Sequence, residues 1–348
     1  MPTFTTAEPV EMGIINVANG NLHIEIPLAL ASQHGGLEYS AKLTYDSRVW
    51  SRAVVTPVWA PATNFGWNLV ESNAAIFGRN VGTHTCQYSC GPHGQTCPAT
   101  WYSYGNYFIK DFTGTRRDFP IYFESSCQCH TAESPTPSGA ALDGSGYWMT
   151  GSIDRASVVV KAPDGTQIYP GMKDTNANSF TTDASGNVVD TLNRTVMIKY
   201  ANGVGGCTAT NCYDVLKSDG TRGRISVTNT TVYVNTAFGQ SGVTEYSGSF
   251  SVPGTIQLPD GTSYQLSYDS GATNGHYGDL TVITLPTGGA VTFGYTVFSD
   301  SCGNRQRWVT SRVSGGAPGP TLSQPVDPIV RRRPFISPAA TRGPTASR

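Results

Sequence analysis

Charge is scarce in this sequence. Asp, Glu, Lys and Arg make up 14% of its 348 residues, against about a quarter in an ordinary soluble domain. The net charge is −1, unevenly placed: from Arg312 onward there are six Arg and one Asp, leaving 17 basic against 23 acidic residues in 1–311. That mildly acidic body excludes the concentrated positive field needed to bind nucleic acid. No apolar run approaches the ~20 residues that span a bilayer, so no membrane span is expected. The opening MPTFTTAEPVEMG has neither a basic n-region nor an apolar h-region. It is not a Sec signal, and either the start is internal to a longer gene product or export takes another route. Long uninterrupted stretches are missing too, because 39 Gly and 22 Pro punctuate the chain, which argues against long helices. No Gly-x-Ser-x-Gly elbow, His-Glu-x-x-His, Walker loop or calcium loop occurs. Asp143-Gly144-Ser145-Gly146 is glycine-rich, but no helical pattern follows it to present a phosphate site. No catalytic, cofactor-binding or metal residue is assigned, and the chain is expected not to be an enzyme.

What is present is strand alternation. In NGNLHIEIPL (19–28), Leu22, Ile24, Ile26 and Leu28 alternate with polar residues and Pro27. In LEYSAKLTYDS (37–47), Leu37, Tyr39, Ala41, Leu43 and Tyr45 do the same. Period two puts each set on one face, so the runs read as antiparallel neighbours with one wet face. From 155 onward a turn recurs between apolar runs: Pro163-Asp164-Gly165-Thr166, Ser185-Gly186-Asn187, Asp219-Gly220-Thr221, Leu258-Pro259-Asp260-Gly261 and Leu285-Pro286-Thr287-Gly288. Glycine supplies the positive φ that a hairpin turn matching strand twist requires, and Asp accepts hydrogen bonds from the turn backbone. Repeats that cannot bury a face alone must stack into one core. The expected fold is all-β, with successive antiparallel hairpins forming a curved sheet, long loops and a disordered C-terminal tail.

Three regions follow. Residues 1–150 form an N-terminal β region with a Cys-rich loop (84–98) and a Ser/Pro/Gly-rich excursion (126–146). Residues 151–312 are the repeat region. Residues 313–348 hold seven prolines and no strand alternation and read as disordered, a tail that a shifted reading frame would also give.

The eight cysteines, at 86, 90, 97, 127, 129, 207, 212 and 302, suit an oxidising compartment. Cys86, Cys90 and Cys97 with His84 and His93 admit disulfides, a zinc site or free thiols, though the spacing is not that of paired zinc knuckles. Cys207 and Cys212 bracket a loop short enough for a local disulfide. Cys127-Gln128-Cys129-His130 is not expected to form one site. His23, on a strand's polar face, and His276, in a glycine-rich turn, are expected to be solvent-exposed. Asp154, Asp190 and Asp279 are expected as turn residues or sheet-edge charges. Tyr264, Tyr268 and Tyr295 either pack across strands or stack on sugars. Asp269 completes a Tyr-Asp pair with a structural role.

Some of these words carry a resemblance. GLEYSAKLTYDS (36–47) followed by FGW (65–67) resembles the opening strand of RHS/YD-repeat proteins and of insecticidal toxin-complex shell proteins, without the second glycine usual in their Phe-Gly-x-Gly-Trp motif. ANGNLHIEIPL (18–28) looks like the strand before it. YGDLTVITLPTGGAVTFGY (277–295) is similar to the YD repeat, and GNRQRWVTSR (303–312) to the stretch that follows it. The resemblance covers roughly 10–50 and 155–312. It implies a partial RHS-type β-shell, a structural segment of a secreted or surface bacterial protein that encloses or displays a C-terminal toxin or other cargo. The family's C-terminal core region, the seat of self-cleavage and cargo release, is not found, which makes this the N-terminal part of a shell. Its partners would be further RHS repeats of the same or a longer chain, a toxin cargo and cell-surface glycans. The alternatives are a carbohydrate-binding adhesive module, which the tryptophans and tyrosines of 50–150 suit, and a secreted glycosidase, which needs two positioned carboxylates.

Overall fold

A computed structural model describes residues 7–10, 12–33, 35–53, 57–111, 114–152, 157–300, 303–315 and 322–325. The repeated turn sets its topology. At 162–166, 183–187, 217–221, 258–262 and 285–289 the first residue's N–H donates to the fifth residue's carbonyl at 2.7–2.9 Å, and the glycine N–H donates back to the first carbonyl at 2.9–3.0 Å. The five glycines have φ between +81° and +87°. Around Gly186, Gly220, Gly261 and Gly288 a Cβ would meet nothing within 4 Å, so glycine serves the dihedral angle there and not space. The carboxylates of Asp219 and Asp260 each accept the N–H and hydroxyl of Thr221 or Thr262, which holds both below the usual carboxylate range.

The same hydrogen-bond pair closes turns at 174–178, 190–194 and 300–304. There Asp174, Asp190 or Asp300 occupies the first position and accepts the fifth residue's N–H at 2.8–2.9 Å. Ala177, Asn193 and Gly303 take the left-handed conformation.

These eight turns close hairpins within a sheet of sixteen strands in strict sequence order, β12 (Ser138–Ala140) to β27 (Leu322–Pro325), every neighbouring pair antiparallel. Among the described residues β12 and β27 do not pair with each other, so the sheet is open. A second sheet has five strands: β1 (Ala7–Val10), β2 (Gly13–Asn16), β3 (Asn21–Ser32), β4 (Glu38–Asp46) and β7 (Trp67–Glu71). Between β4 and β7, β5 (Trp50–Arg52) and β6 (Trp59–Pro61) make a short ribbon. Four more strands form a smaller sheet: β8 (Ile76–Ser89), β9 (Thr96–Lys110), β10 (Arg116–Phe119) and β11 (Phe123–Glu124). Among the described residues there is no α-helix, hence none long and apolar enough to cross a membrane.

Alternation decides what is buried. Leu22, Ile24, Ile26 and Leu28 of β3, Leu37, and Tyr39, Ala41, Leu43 and Tyr45 of β4 are all buried, at 7% exposure or less. They join one core with residues of the long sheet from Met172 to Val309, so the long sheet bends around the five-stranded one. Tyr39 meets the ring of Phe180 at 5.6 Å and donates its hydroxyl to Glu71. Glu71 in turn pairs with Lys199 across the two sheets at 2.6 Å. A second core, including Tyr107, Ile109, Phe119, Phe123, Met149 and Val160, lies where the small sheet meets the first strands of the long one.

The structure changes three expectations. Segment 84–98 is not a loop but the end of a long hairpin, β8 paired with β9 up to Ser89↔Thr96. The reason is that Thr, Tyr, Gln and Cys alternate well enough to extend an exposed two-stranded arm. The 126–146 excursion is irregular, yet it contains a bridge between Thr136 and Tyr122 and opens the long sheet at Ser138. Beyond residue 312, strand pairing continues: β26 (Arg305–Gly315) runs through Gly315, and Leu322–Pro325 pairs with it. The rest of 313–348 lies outside the described residues.

Candidate functional site

The small sheet carries the densest chemistry. Cys90 and Cys97 close the tip of the β8–β9 hairpin as a disulfide. Four residues earlier, Cys86 is crosslinked to Cys129, which follows β11. A tight turn in which Cys127 and His130 exchange backbone hydrogen bonds (2.8 and 3.3 Å) brings a third sulfur into place. The Cys127 Sγ lies 3.5 Å from that of Cys86 and 3.8 Å from that of Cys129. Cys127 is the one unpaired cysteine among the described residues.

A ring stack flanks the sulfurs. Trp101 of β9 is sandwiched between His84 of β8, at 4.0 Å, and His130, at 3.7 Å, with the planes within 18° of parallel. The His84 ring nitrogen Nε2 bonds the Ser103 hydroxyl. His130 Nε2 lies 2.9 Å from the carboxylate of Glu124, which also accepts the Tyr122 hydroxyl at 2.5 Å and the Glu133 N–H. The Tyr122 hydroxyl, then that N–H, hold Glu124 down at about 2, while Tyr122 is pushed up to about 12. Glu124 is thus a fixed negative charge beside His130 across the physiological range.

This arrangement breaks up the Cys86, Cys90, Cys97, His84 and His93 set. Cys90 and Cys97 pair with each other, and Cys86 faces Cys127 and Cys129 instead. It also corrects the expectation for 127–130: Cys127 and Cys129, two residues apart, reach one site because the turn folds them to the same side. Cys207–Cys212 is the expected local disulfide. Cys302 lies outside the described residues.

Other candidates scatter. His23 is not free in solvent: its side chain is 28% exposed and lies between Asp46 (3.0 Å) and Glu25 (3.2 Å), and the hydrogen bond to Asp46 raises its proton affinity. Lys42 bonds the same Glu25. His276 bonds Asp269, whose other oxygen accepts the Tyr277 N–H. The aspartate of the Tyr-Asp pair thereby clamps the loop that follows it, the structural role expected. Asp190 is a turn residue, paired with Arg194, and Asp154 lies outside the described residues. Asp143 accepts both the N–H and the hydroxyl of Ser145, closing a local turn. Tyr268 and Tyr295 pack on the core and donate to the carbonyls of Pro253 and Leu280, and Tyr264 packs beside them. These three tyrosines are cross-strand packing groups.

Asp279 is neither a turn residue nor an edge charge. It is fully buried, with Oδ2 accepting the Nε–H of Arg307 at 2.8 Å and lying 2.7 Å from Nη2 in an ion pair, and with Oδ1 unpartnered. Burial pushes its carboxyl up to about 6 against the pull of Arg307. The Arg307 guanidinium lies 4.1 Å over the Tyr277 ring. The sequence signal for this pair was an Asp preceding an apolar strand and an Arg inside an alternating one, each unremarkable alone. The three-sulfur cluster was signalled only by Cys-x-Cys-His, with no means of placing Cys86 opposite it. Of the tryptophans in 50–150, Trp50, Trp59 and Trp67 are core residues and Trp101 is sandwiched; Trp148 keeps a half-exposed ring. In comparisons with known proteins, no family model and no curated protein matches this chain.

Proposed function

We propose that this chain is a structural, non-catalytic segment of an RHS-type β-shell that encloses or displays a C-terminal cargo. The observation that carries this reading is the sixteen-stranded sheet, paired in strict sequence order, with one repeated turn closing eight of its hairpins and both edge strands open. Such a sheet grows by adding hairpins at its edge, and its unpaired N–H and C=O groups select further strands as partners. The three disulfides belong to an oxidising compartment, which supports a secreted or surface-displayed bacterial protein. The encoding DNA tests the reading. Further glycine-turn hairpins are expected in a frame downstream of codon 312, and a chain extended by them should be more soluble than this one. Absence of hairpin-coding sequence in all three frames, or hydrolysis of any member of a polysaccharide panel, would refute it.

A second reading, a carbohydrate-binding surface module, is favoured by Trp148 of β13 and Tyr102 of β9, exposed at 49% and 41%. Exposed aromatic faces suit sugar stacking. Glycan-array binding that disappears in Trp148→Ala with an unchanged circular dichroism spectrum would support it; no binding to any glycan would remove it.

A further inference from the structure

We propose that Cys86, Cys127 and Cys129 form a thiol–disulfide exchange site, so that the crosslink pinning the β8–β9 hairpin has two interchangeable forms. The inference is independent of the shell reading. Its basis is a third sulfur held 3.5 Å from one member of a disulfide and 3.8 Å from the other. A structural crosslink needs two cysteines. Here the 127–130 turn, with two backbone hydrogen bonds, presents a second thiol to Cys86 from the same short segment.

The chemistry balances without an external oxidant. Cys127 releases its proton to solvent, and the thiolate attacks the Sγ of Cys86. The Cys86–Cys129 bond breaks as the Cys86–Cys127 bond forms, and Cys129 leaves as a thiolate that takes up a proton. Because Cys127 flanks the bond almost equidistantly from its two sulfurs, it does not lie on the bond axis. Attack therefore requires rotation about its χ1, which the partly open surroundings of Cys127 permit. Cys86 is the nearer target, and its exchange leaves the hairpin pinned two residues away.

The alternative product, Cys127–Cys129, lies within one segment and frees the hairpin from covalent restraint. Ties that remain include the Phe123↔Tyr104 and Glu124↔Ser103 pairs, the Ser125–Tyr102 hydrogen bonds, the His130–Trp101 stack and, further down, the β10–β9 pairing. These hold the near side of the arm, so loss of the crosslink would loosen the tip around Cys90–Cys97 and not the sheet beneath it.

The test is disulfide mapping of the whole chain under non-reducing conditions. After incubation at pH 8, acid quench and alkylation, the label is expected on both Cys127 and Cys129, with both Cys86 linkages recovered. Label on Cys127 alone, with Cys86–Cys129 as the one linkage, would overturn the proposal. In Cys129→Ser the thiol titre should fall by one relative to wild type as Cys86 pairs with Cys127. A titre that rises by one, leaving both as free thiols in a folded protein, would overturn it equally. Cys127→Ser should show the Cys86–Cys129 linkage alone and serves as the fold control; if Cys129→Ser does not fold, the wild-type map decides.

Discussion

Arg307→Met isolates the cost of a charge in this core. Arg307 gives Asp279 a side-chain hydrogen bond and an ion pair, and Asp279 has no exposed surface. Burial raises the carboxyl from its ordinary 3.8 to about 6, which corresponds to about 3 kcal/mol. The sign follows from proton binding. Between about pH 4 and 6 the native state holds a proton that the unfolded state has already lost, so this group's contribution to stability falls as pH rises through that window and is level above it. Removing the guanidinium leaves the carboxylate unpaired and drives its pKa higher still. The lost partner costs about 3–5 kcal/mol where the group must ionise, and only ~1–2 kcal/mol, from the lost hydrogen bond and ring contact, where it is protonated. Urea titrations followed by tryptophan fluorescence should therefore show a loss in Arg307→Met that is ~2–3 kcal/mol greater at pH 8 than at pH 5. An equal loss at both pH values would mean that Arg307 acts by packing alone and that Asp279 is not the charged partner described.

The other predictions concern the turns, the tyrosines and the shared core. Gly261 has φ +86° and open space around its missing Cβ, so Gly261→Ala should cost about 1–2 kcal/mol through backbone strain alone and Gly261→Asn less, measured as urea midpoints. Tyr295→Phe removes the hydroxyl that donates to the Leu280 carbonyl at 2.9 Å and should cost about 1–3 kcal/mol by the same assay; a neutral substitution would return that tyrosine to the sugar-stacking candidates. Trp50, which donates to the Tyr277 carbonyl and meets the rings of Phe65, Tyr246 and Phe250, should lose about 3–5 kcal/mol as Trp50→Ala. Fluorescence and far-UV circular dichroism should report one coincident transition in that variant and in wild type, whereas two separated transitions would show that the two large sheets fold independently.

Local chemistry was readable in the sequence wherever a single residue type has one physical use. Glycine at positive φ marked the five turns from 162 to 289, and period-two alternation picked out the buried faces of β3 and β4. Turns built by other means were not visible. Ala177 and Asn193 take the same left-handed place without glycine, and the cue there, an Asp three residues earlier, is common in sequences. Partnerships between distant segments were least legible. Nothing in one strand says which thiol 43 residues away will face it, nor that Asp279 lies on the inward side of its segment, 28 residues from its Arg. The hairpin arm is hard to see for a related reason: its cysteines and glycines resemble loop composition, and its partly buried face is made by Cys86, Tyr88, Cys97, Ala99 and Trp101, with no aliphatic run to mark it.

The division at 150/151 meets a physical difficulty at the same level. That boundary falls inside β13 (Trp148–Gly151), and each large core draws residues from both sides of it. A sequential meander of sixteen strands can curl, but its inner apolar face stays wet unless another layer covers it. Phe180, Val188, Met197, Val252, Ile256, Ile283 and Val291, all at 1% exposure or less, are covered because β3, β4 and the side chains of Trp50, Trp59, Phe65 and Trp67 join the same core. Alternation in 155–312 describes the wall, and alternation in 19–47 describes what fills it at this end. Neither has a complete core alone, because the buried residues of both join a single cluster.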